Sequence, residues 1–399
     1  MARPGLAVPI LYGAGLLQGF AFVLIPALGT YLKGSPYHLS ASQYGSLFLP
    51  MTAGAIASAL SAGGVDRHVG TQGVLRIGLG ANALALLLLI TSAAYAGQPA
   101  AYALLLAETA LLGLGFGFNL AAINHLAAEH FPEHETAAIT LLNAVIGGST
   151  ALSPLILDRF EVIRHWWLWP ALLAAGFVTI LLLSLTLPGS RTLTASARED
   201  PVPGQPLWMF VAAVLLYAVV EGTFGSWADL YVSGSHGLSA RDGAWALSAF
   251  WGAMTAFRLG FSLVPPRLAP PWLVYRVSPV AIALCFLALP LVSSPAALIA
   301  TFAGAGAACS IYYPYSMSFA LETYTLSQTR VAGLLVAALM AGEGIGSYAL
   351  GPLQGSLSLA KIYGFSAFWS LPLFGFAYWL SRPNPGPGAQ SSGPGRSTV

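Results

Sequence analysis

The sequence predicts an all-α membrane protein in which twelve transmembrane helices form two parallel six-helix halves around a central cavity. Three observations lead to this prediction. The first is composition, because 56% of the 399 residues are hydrophobic and only 8% are charged. A soluble domain carries about 25% charged residues. A chain so poor in charge cannot cover a water-facing surface, so we expect lipid to surround most of it.

The second observation is a succession of apolar segments, since a helix needs about 20 apolar residues to cross a bilayer. Charged breaks and breaks rich in Gly and Pro divide the chain into six such segments, a polar stretch and six more. The predicted spans, called spans 1 to 12, are 7–32, 41–62, 72–96, 101–128, 136–157, 166–187, 207–232, 243–264, 272–293, 296–321, 330–351 and 357–380.

The predicted domains follow these breaks. Residues 1–187 form an N-terminal six-helix bundle (the N half), and residues 207–381 form a C-terminal one (the C half). The polar stretch 188–206 between them has the composition of a flexible cytoplasmic linker. Residues 382–399 are rich in Pro, Gly and Ser, which predicts a disordered cytoplasmic tail.

The third observation is an internal repeat. The phrase "YLKGSPYHLSA" at Tyr31 returns with one residue fewer as "YVSGSHGLSA" at Tyr231. Each copy covers the end of the first span of a half and the loop into its second span. Shorter echoes agree with it: "QGF" with "EGT", "MTA" at Met51 and Met254, and "ALSPL" with "ALGPL". Two parallel repeats leave a cavity at the midplane and can rock about it.

Basic residues in the loops predict the orientation, because short cytoplasmic loops are enriched in Lys and Arg. If both termini are cytoplasmic, the inner side carries Arg3, Arg67, Arg76, Arg191, Arg198, Arg267, Arg276, Arg330, Arg382 and Arg396. The outer side then carries Lys33, Arg159, Arg164, Arg241 and Lys361. This two-to-one bias places both termini in the cytoplasm. We expect the protein in the plasma membrane, or in the inner membrane if the source is Gram-negative.

In this arrangement the chain resembles the major facilitator superfamily over essentially its whole ordered length. The loop between spans 2 and 3, residues 63–76, is similar to the family signature at Asp66 and Arg67. It departs from the signature at Thr71 and Gln72, which replace a basic pair. The resemblance implies a cytoplasmic gate at Asp66 and Arg67.

A physical interpretation of this gate is that Asp66 lies at the positive N-terminus of span 11, near Thr329 and Arg330. The alternative is an ordinary solvated loop pair.

A second resemblance is to the fucose-permease-like branch of sugar transporters. It depends on "EGTFGSWADLYV" at Glu221 and "LSAFWGAMTAFRLG" at Leu247, which carry an acidic residue, tryptophans and an arginine in spans 7 and 8. The chain departs from that branch at Phe257, where a Gly is expected. The resemblance implies a sugar-like solute.

Ionisable residues inside spans cost about 2.5–3.5 kcal/mol each on insertion scales, so each is a functional candidate. Glu221 lies mid-span 7, Glu343 mid-span 11, Glu108 in span 4 and Arg258 in span 8. Burial disfavours the charged form of a carboxyl group, so such a group can exchange a proton near neutral pH. We predict proton coupling at Glu221 and Glu343, and a gating role for Arg258. A structural Glu343–Arg258 ion pair is the alternative.

Neutral polar and aromatic residues complete the predicted substrate site. Gln18 is the counterpart of Glu221 in the repeat, and Asn119 and Asn143 offer both donors and acceptors. Trp227 and Tyr312 offer aromatic faces that stack on sugar rings. The predicted substrate-binding set is therefore Gln18, Asn119, Asn143, Glu221, Trp227 and Tyr312. Helix packing is the alternative for the asparagines and the aromatic residues.

The sequence thus predicts a proton-coupled secondary transporter of a small polar organic solute, working by alternating access as a monomer. We expect no enzyme activity, no cofactor, no metal site and no nucleic-acid partner. The lipid bilayer, the solute and protons are the predicted partners. Proton-driven efflux of amphipathic compounds is the alternative within this class. A non-transporting membrane sensor or enzyme is the alternative outside it.

Overall fold

The computed structural model describes residues 4–162, 165–187, 205–265, 267–324 and 328–382, and these residues are helical apart from short connections. Eight of the described helices are long and apolar enough to cross a membrane. One of the eight, Ala41–Ala93, contains both span 2 and span 3. Spans 6, 8 and 12 are shorter or more polar helices, and they complete the twelve predicted spans.

The helix bounds follow the predicted spans closely. In the N half they are Pro4–Phe22, Leu24–Ala27 and Gly29–Lys33 (span 1), Ala41–Ser46 and Phe48–Ala93 (spans 2 and 3), Pro99–His130 (span 4), Glu135–Val162 (span 5) and Leu168–Ser184 (span 6). In the C half they are Gln205–Asp229 with the π-helix Leu230–Ser235 (span 7), Ala240–Leu263 (span 8), Pro271–Ala288 with the 3₁₀-helix Leu289–Leu291 (span 9), Pro295–Cys309 and Tyr312–Thr323 (span 10), Gln328–Leu353 (span 11), and Leu359–Ser366, Ala367–Trp369 and Ser370–Leu380 (span 12).

Each half crosses the membrane an even number of times, so Pro4 and Arg382 lie on the same face of the molecule. We call this face the terminal face and the other the opposite face. The predicted linker 188–206 and tail 382–399 fall outside the described residues, apart from the start of span 7 and Arg382.

The connection between spans 2 and 3 is tighter than expected. Helix Phe48–Ala93 runs through it, and Gly70 is the one residue inside this helix with a non-helical backbone, at φ 73° and ψ 162°. Only glycine adopts such a positive φ without strain. The chain therefore reverses at Gly70 rather than in an extended loop.

The repeated phrase has a structural reason in helix capping. In its first copy, Ser40 caps the start of span 2 and forms a capping box with Gln43. In its second copy, Ser239 caps the start of span 8 and forms a capping box with Asp242. The "LSA" motif thus fixes the start of the second helix of each half.

Span 10 is broken at Ser310, and Pro314 explains the break. Proline has no backbone N–H, so the carbonyl four residues earlier, that of Ser310, loses its helical partner. Side chains from neighbouring spans donate hydrogen bonds to this carbonyl and to the one before it. Arg258 Nε donates to Ser310 O at 3.1 Å, and the Tyr217 hydroxyl donates to Cys309 O at 2.7 Å. Spans 7 and 8 therefore hold the kink in place.

The two halves meet along spans 1 and 7, 2 and 11, and 5 and 8. In the described part of the chain, the hydrogen bonds between the halves run from Thr30 N–H to Asp229 Oδ2 (2.8 Å), from Lys33 Nζ to Gln354 Oε1 (2.9 Å), and from the Tyr44 hydroxyl to Ser226 O (2.8 Å). All of them lie toward the opposite face, which is therefore closed in this structure.

Candidate functional site

A pocket lies between the halves, lined by residues from the middle parts of several spans, with an empty volume of about 500 Å³. Both halves line it. Spans 1, 2 and 4 contribute Phe22, Val23, Pro26, Phe48, Met51, Thr52, Ala55 and Phe116. Spans 7, 8 and 11 contribute Gly225, Ser226, Trp251, Met340, Glu343, Gly344 and Ser347. This volume includes space open to solvent, and the position of the pocket between two halves is typical of a small-molecule site.

Aromatic rings form one wall of this central pocket and span the interface. The Phe22 ring lies 5.1 Å from Phe116 within the N half and 6.1 Å from Trp251 of the C half, centroid to centroid. The indole N–H of Trp251 is buried and has no hydrogen-bond partner among the described residues. An unpaired buried donor is costly, so a hydrogen bond from this N–H to a solute would be stabilising.

Polar groups of the C half form another part of the pocket wall. The hydroxyls of Ser226 and Ser347 lie 2.6 Å apart and join spans 7 and 11. The carboxyl group of Glu343 is half-buried at the pocket, one helical turn from Ser347, and makes no hydrogen bond within the described part of the chain. The pocket therefore combines an apolar and aromatic surface with one free carboxyl group and a few hydroxyls.

Glu221 lies directly behind this wall. It is 7% exposed, and its carboxyl group is near the Tyr217 hydroxyl and the Arg258 guanidinium. It is also close enough to Glu343 for the two carboxyl groups to interact. The protonation of one therefore influences the protonation of the other. Span 7 approaches span 11 so closely because Gly222 lies against the Glu343 carbonyl, where a larger residue would collide.

The structure separates the two members of the alternative ion pair. Arg258 faces Glu221 and the broken part of span 10, where its Nε donates to Ser310 O. In the described residues it forms no ion pair with Glu343. Arg258 therefore supports the kinked helix next to Glu221.

The two aromatic residues of the predicted substrate set are fully buried away from the central pocket. Trp227 donates its indole N–H to Ser347 O at 2.8 Å and packs edge-on against Tyr44 at 4.9 Å. It belongs to the closed opposite face. Tyr312 stacks on Tyr217 at 5.2 Å and donates its hydroxyl to Leu373 O at 3.0 Å. It packs inside the C half.

Gln18 and Asn119 are likewise brought together away from the pocket. Gln18 Oε1 accepts hydrogen bonds from Asn82 Nδ2 at 2.7 Å and from Asn119 Nδ2 at 2.9 Å. All three residues are fully buried and join spans 1, 3 and 4. Gly78 and Gly115 leave the space that the two asparagine amides occupy. This arrangement fits the helix-packing alternative, in which the amides join helices.

The remaining predicted polar residues lie at three other places. Asn143 is exposed on span 5 and donates to Ile139 O of its own helix. Asp66 is fully buried and accepts from the Thr71 hydroxyl at 2.7 Å, whereas Arg67 is exposed. The predicted contact of Asp66 with Thr329 and Arg330 lies outside the described side chains. Glu108 is fully buried inside the N half.

Sequence reasoning did not select Phe22, Phe116, Trp251 or Ser347 as site residues. One sequence feature did indicate the pocket, because Met51 and Thr52 of the first "MTA" echo line it. Trp251 lies in the phrase at Leu247 that carries the second resemblance, whereas Phe22 and Phe116 had no such mark in a sequence with 20 Phe.

The family follows from a comparison that covers most of the chain. A model of the Major Facilitator Superfamily matches residues 10–329. The chain belongs to this superfamily. It is therefore a multi-pass membrane transporter, in agreement with its apolar helices and two-half fold. No curated protein sequence matches the chain significantly.

Solved structures of superfamily transporters share the fold. The nucleoside transporter NupG aligns with a TM-score of 0.77 at 13% identity, over 94% of this chain and 99% of that chain. A D-xylose-proton symporter aligns with a TM-score of 0.69 at 16% identity, over 93% and 95% of the two chains. The E. coli fucose:proton symporter FucP aligns with a TM-score of 0.62 at 17% identity, over 94% and 98%. At these identities the similarity extends to the fold.

Proposed function

We propose that this transporter couples the movement of a small sugar- or nucleoside-like solute to protons by alternating access. The observation that carries the proposal is the central pocket, which both halves line and which holds one carboxyl group beside an aromatic wall. The structural neighbours named for nucleosides, xylose and fucose support this solute class.

The pocket offers two complementary surfaces to such a solute. The rings of Phe22, Phe116 and Trp251 provide faces for a sugar ring or a base. Glu343, Ser347 and the unpaired Trp251 N–H provide hydrogen bonds for hydroxyl groups. Because Phe22 and Trp251 belong to different halves, a solute packed against both rings would contact both halves at once.

Proton coupling is proposed for Glu343 together with Glu221. Glu343 borders the pocket, so its protonation state would be sensed directly by the solute. Glu221 interacts with Glu343 and lies beside Arg258. A proton shared by two interacting carboxyl groups can be bound in one conformation and released in another.

The membrane and orientation also belong to this proposal. The ratio of ten basic residues on one side to five on the other supports cytoplasmic termini and a plasma or inner membrane location. Under this orientation the closed opposite face is the outer one. The chain is proposed to act as a monomer, with each half providing one wall of the pathway.

Efflux of amphipathic compounds is the second candidate, and the lining of the pocket favours it. Met51, Met340, Phe22 and Phe48 give the pocket a largely apolar surface. Methionine side chains adapt to ligands of different shapes. The two candidates differ in whether a hydroxyl-rich or an apolar compound binds.

Thermal stability of the purified protein in detergent tests the proposal, because a ligand of the folded state stabilises it by RT ln(1 + [L]/Kd). We expect D-xylose, L-fucose or a nucleoside to raise the melting temperature of the wild type. Trp251→Phe, which removes the indole N–H, should weaken that binding, whereas Trp379→Phe on an exposed face should not. Stabilisation only by amphipathic compounds would overturn the sugar-like proposal in favour of efflux.

A further inference from the structure

A second cleft opens between the halves near the opposite face, away from the central pocket. Its empty volume is about 640 Å³, and residues of spans 1, 5, 7 and 8 line it. Two of the lining residues are acidic and belong to different halves, Asp158 in span 5 and Asp229 in span 7. We call it the acidic cleft.

Asp158 is buried without a partner. It is only 7% exposed, and in the described part of the chain its carboxyl group makes no hydrogen bond and no ion pair. Removing a carboxylate from water without pairing it costs several kcal/mol. A group in this position therefore lacks the positive partner that would stabilise its charge.

Asp229, on the other wall, accepts hydrogen bonds only from neutral donors among the described residues. Its Oδ2 accepts from Thr30 N–H at 2.8 Å, and its Oδ1 accepts from the Ser233 hydroxyl at 3.3 Å. Among the described basic side chains on neighbouring segments, none forms a hydrogen bond or an ion pair with either carboxyl group. Lys33 donates to Gln354, while the exposed Arg159 and Arg241 form no described ion pair with the cleft.

The rest of the acidic cleft is largely apolar, which limits the kind of cation that fits. Alanine, proline and leucine side chains form most of its walls, and the Tyr31 ring lies at its edge. Among the described residues, no group of three or more His, Cys, Asp and Glu side chains could hold a metal ion. An ammonium group needs fewer such side chains, and its carbon body favours apolar walls and an aromatic ring.

We propose that the acidic cleft binds a small organic cation, with its ammonium group at Asp158 and its apolar body against the surrounding walls. Because residues of both halves line the cleft, a bound cation contacts both halves near the opposite face. The cleft is thus a binding site separate from the central pocket, and its occupancy favours the closed opposite face.

The test uses the purified full chain, with benzylammonium as the probe and benzyl alcohol as its neutral counterpart of similar size. Melting temperatures are measured against probe concentration at fixed pH and ionic strength. We expect benzylammonium to raise the melting temperature in a saturable manner, while benzyl alcohol does not. Asp158→Asn should abolish the shift, and Glu133→Gln, which alters an exposed carboxylate elsewhere, should keep it.

Further variants separate this site from the others. Glu343→Gln should keep the benzylammonium shift, because that carboxyl group borders the central pocket. Asp158→Asn removes an unpaired charge at constant shape, so we expect it to fold. A shift that persists in Asp158→Asn, or one lost in Glu343→Gln, would overturn the proposal. Equal shifts with benzyl alcohol or with Na⁺, or no shift with benzylammonium, would also overturn it.

Discussion

The closed opposite face depends strongly on Asp229, and replacing this residue with Asn measures how much. Asp229 accepts the Thr30 N–H across the interface between the halves at 2.8 Å. A hydrogen bond to a charged acceptor contributes about 1.5–3 kcal/mol, and a neutral one about 0.5–1.5 kcal/mol. Asp229→Asn keeps an acceptor but removes the charge, so we expect closure to weaken by about 1–1.5 kcal/mol. This corresponds to about a tenfold change in the ratio of closed to open molecules.

Distances between spin labels on the two halves report this ratio. Labels at Gln98→Cys in the N half and Ser293→Cys in the C half occupy exposed loops on the opposite face. The native Cys285 and Cys309 must first be replaced. Asp229→Asn should increase the population with longer label separations by about tenfold.

The matched control is Glu322→Gln, which changes an exposed carboxylate on the terminal face. It should leave the distribution of label distances unchanged. An unchanged distribution in Asp229→Asn would refute the reasoning. It would mean either that this carboxyl group carries no charge in the closed state or that it does not stabilise the closed state.

Two further predictions concern other contacts. Tyr44→Phe removes the hydroxyl that donates to Ser226 O between the halves, and we expect it to shift the same label distances by about fivefold, from about 1 kcal/mol; no shift would mean that water replaces the bond. Gly113→Ala places a methyl group against the Met51 carbonyl, and we expect it to lower the melting temperature through about 1–3 kcal/mol of overpacking. Gly80→Ala, with open space around it, should be neutral or stabilising, and equal effects of the two changes would contradict the packing argument.

The fold could be predicted from the sequence because the membrane constrains it strongly. Backbone groups in lipid must be satisfied within helices, so long apolar segments translate directly into spans. The repeat between Tyr31 and Tyr231 then fixed the number and direction of the halves. Capping by Ser40 and Ser239 explains why that phrase occurs in both halves.

The composition of the pocket was harder to predict, because helix rotation decides which side chains face it. Gln18 and Trp227 lie on spans that border the pocket, yet both are fully buried against neighbouring helices. Glu343 was identifiable because a carboxyl group within a span is rare and costly. Phe22 and Phe116 were not, since phenylalanine is common throughout this chain.

The most direct test of the proposed mechanism compares two kinds of transport in proteoliposomes, using a solute identified by thermal stability. Gradient-driven uptake requires proton release and reloading, whereas counterflow exchanges solute without net proton movement. We expect Glu343→Gln to retain counterflow and to lose most gradient-driven accumulation, and Glu322→Gln to retain both. Accumulation by Glu343→Gln at the wild-type level would contradict proton coupling at the central pocket.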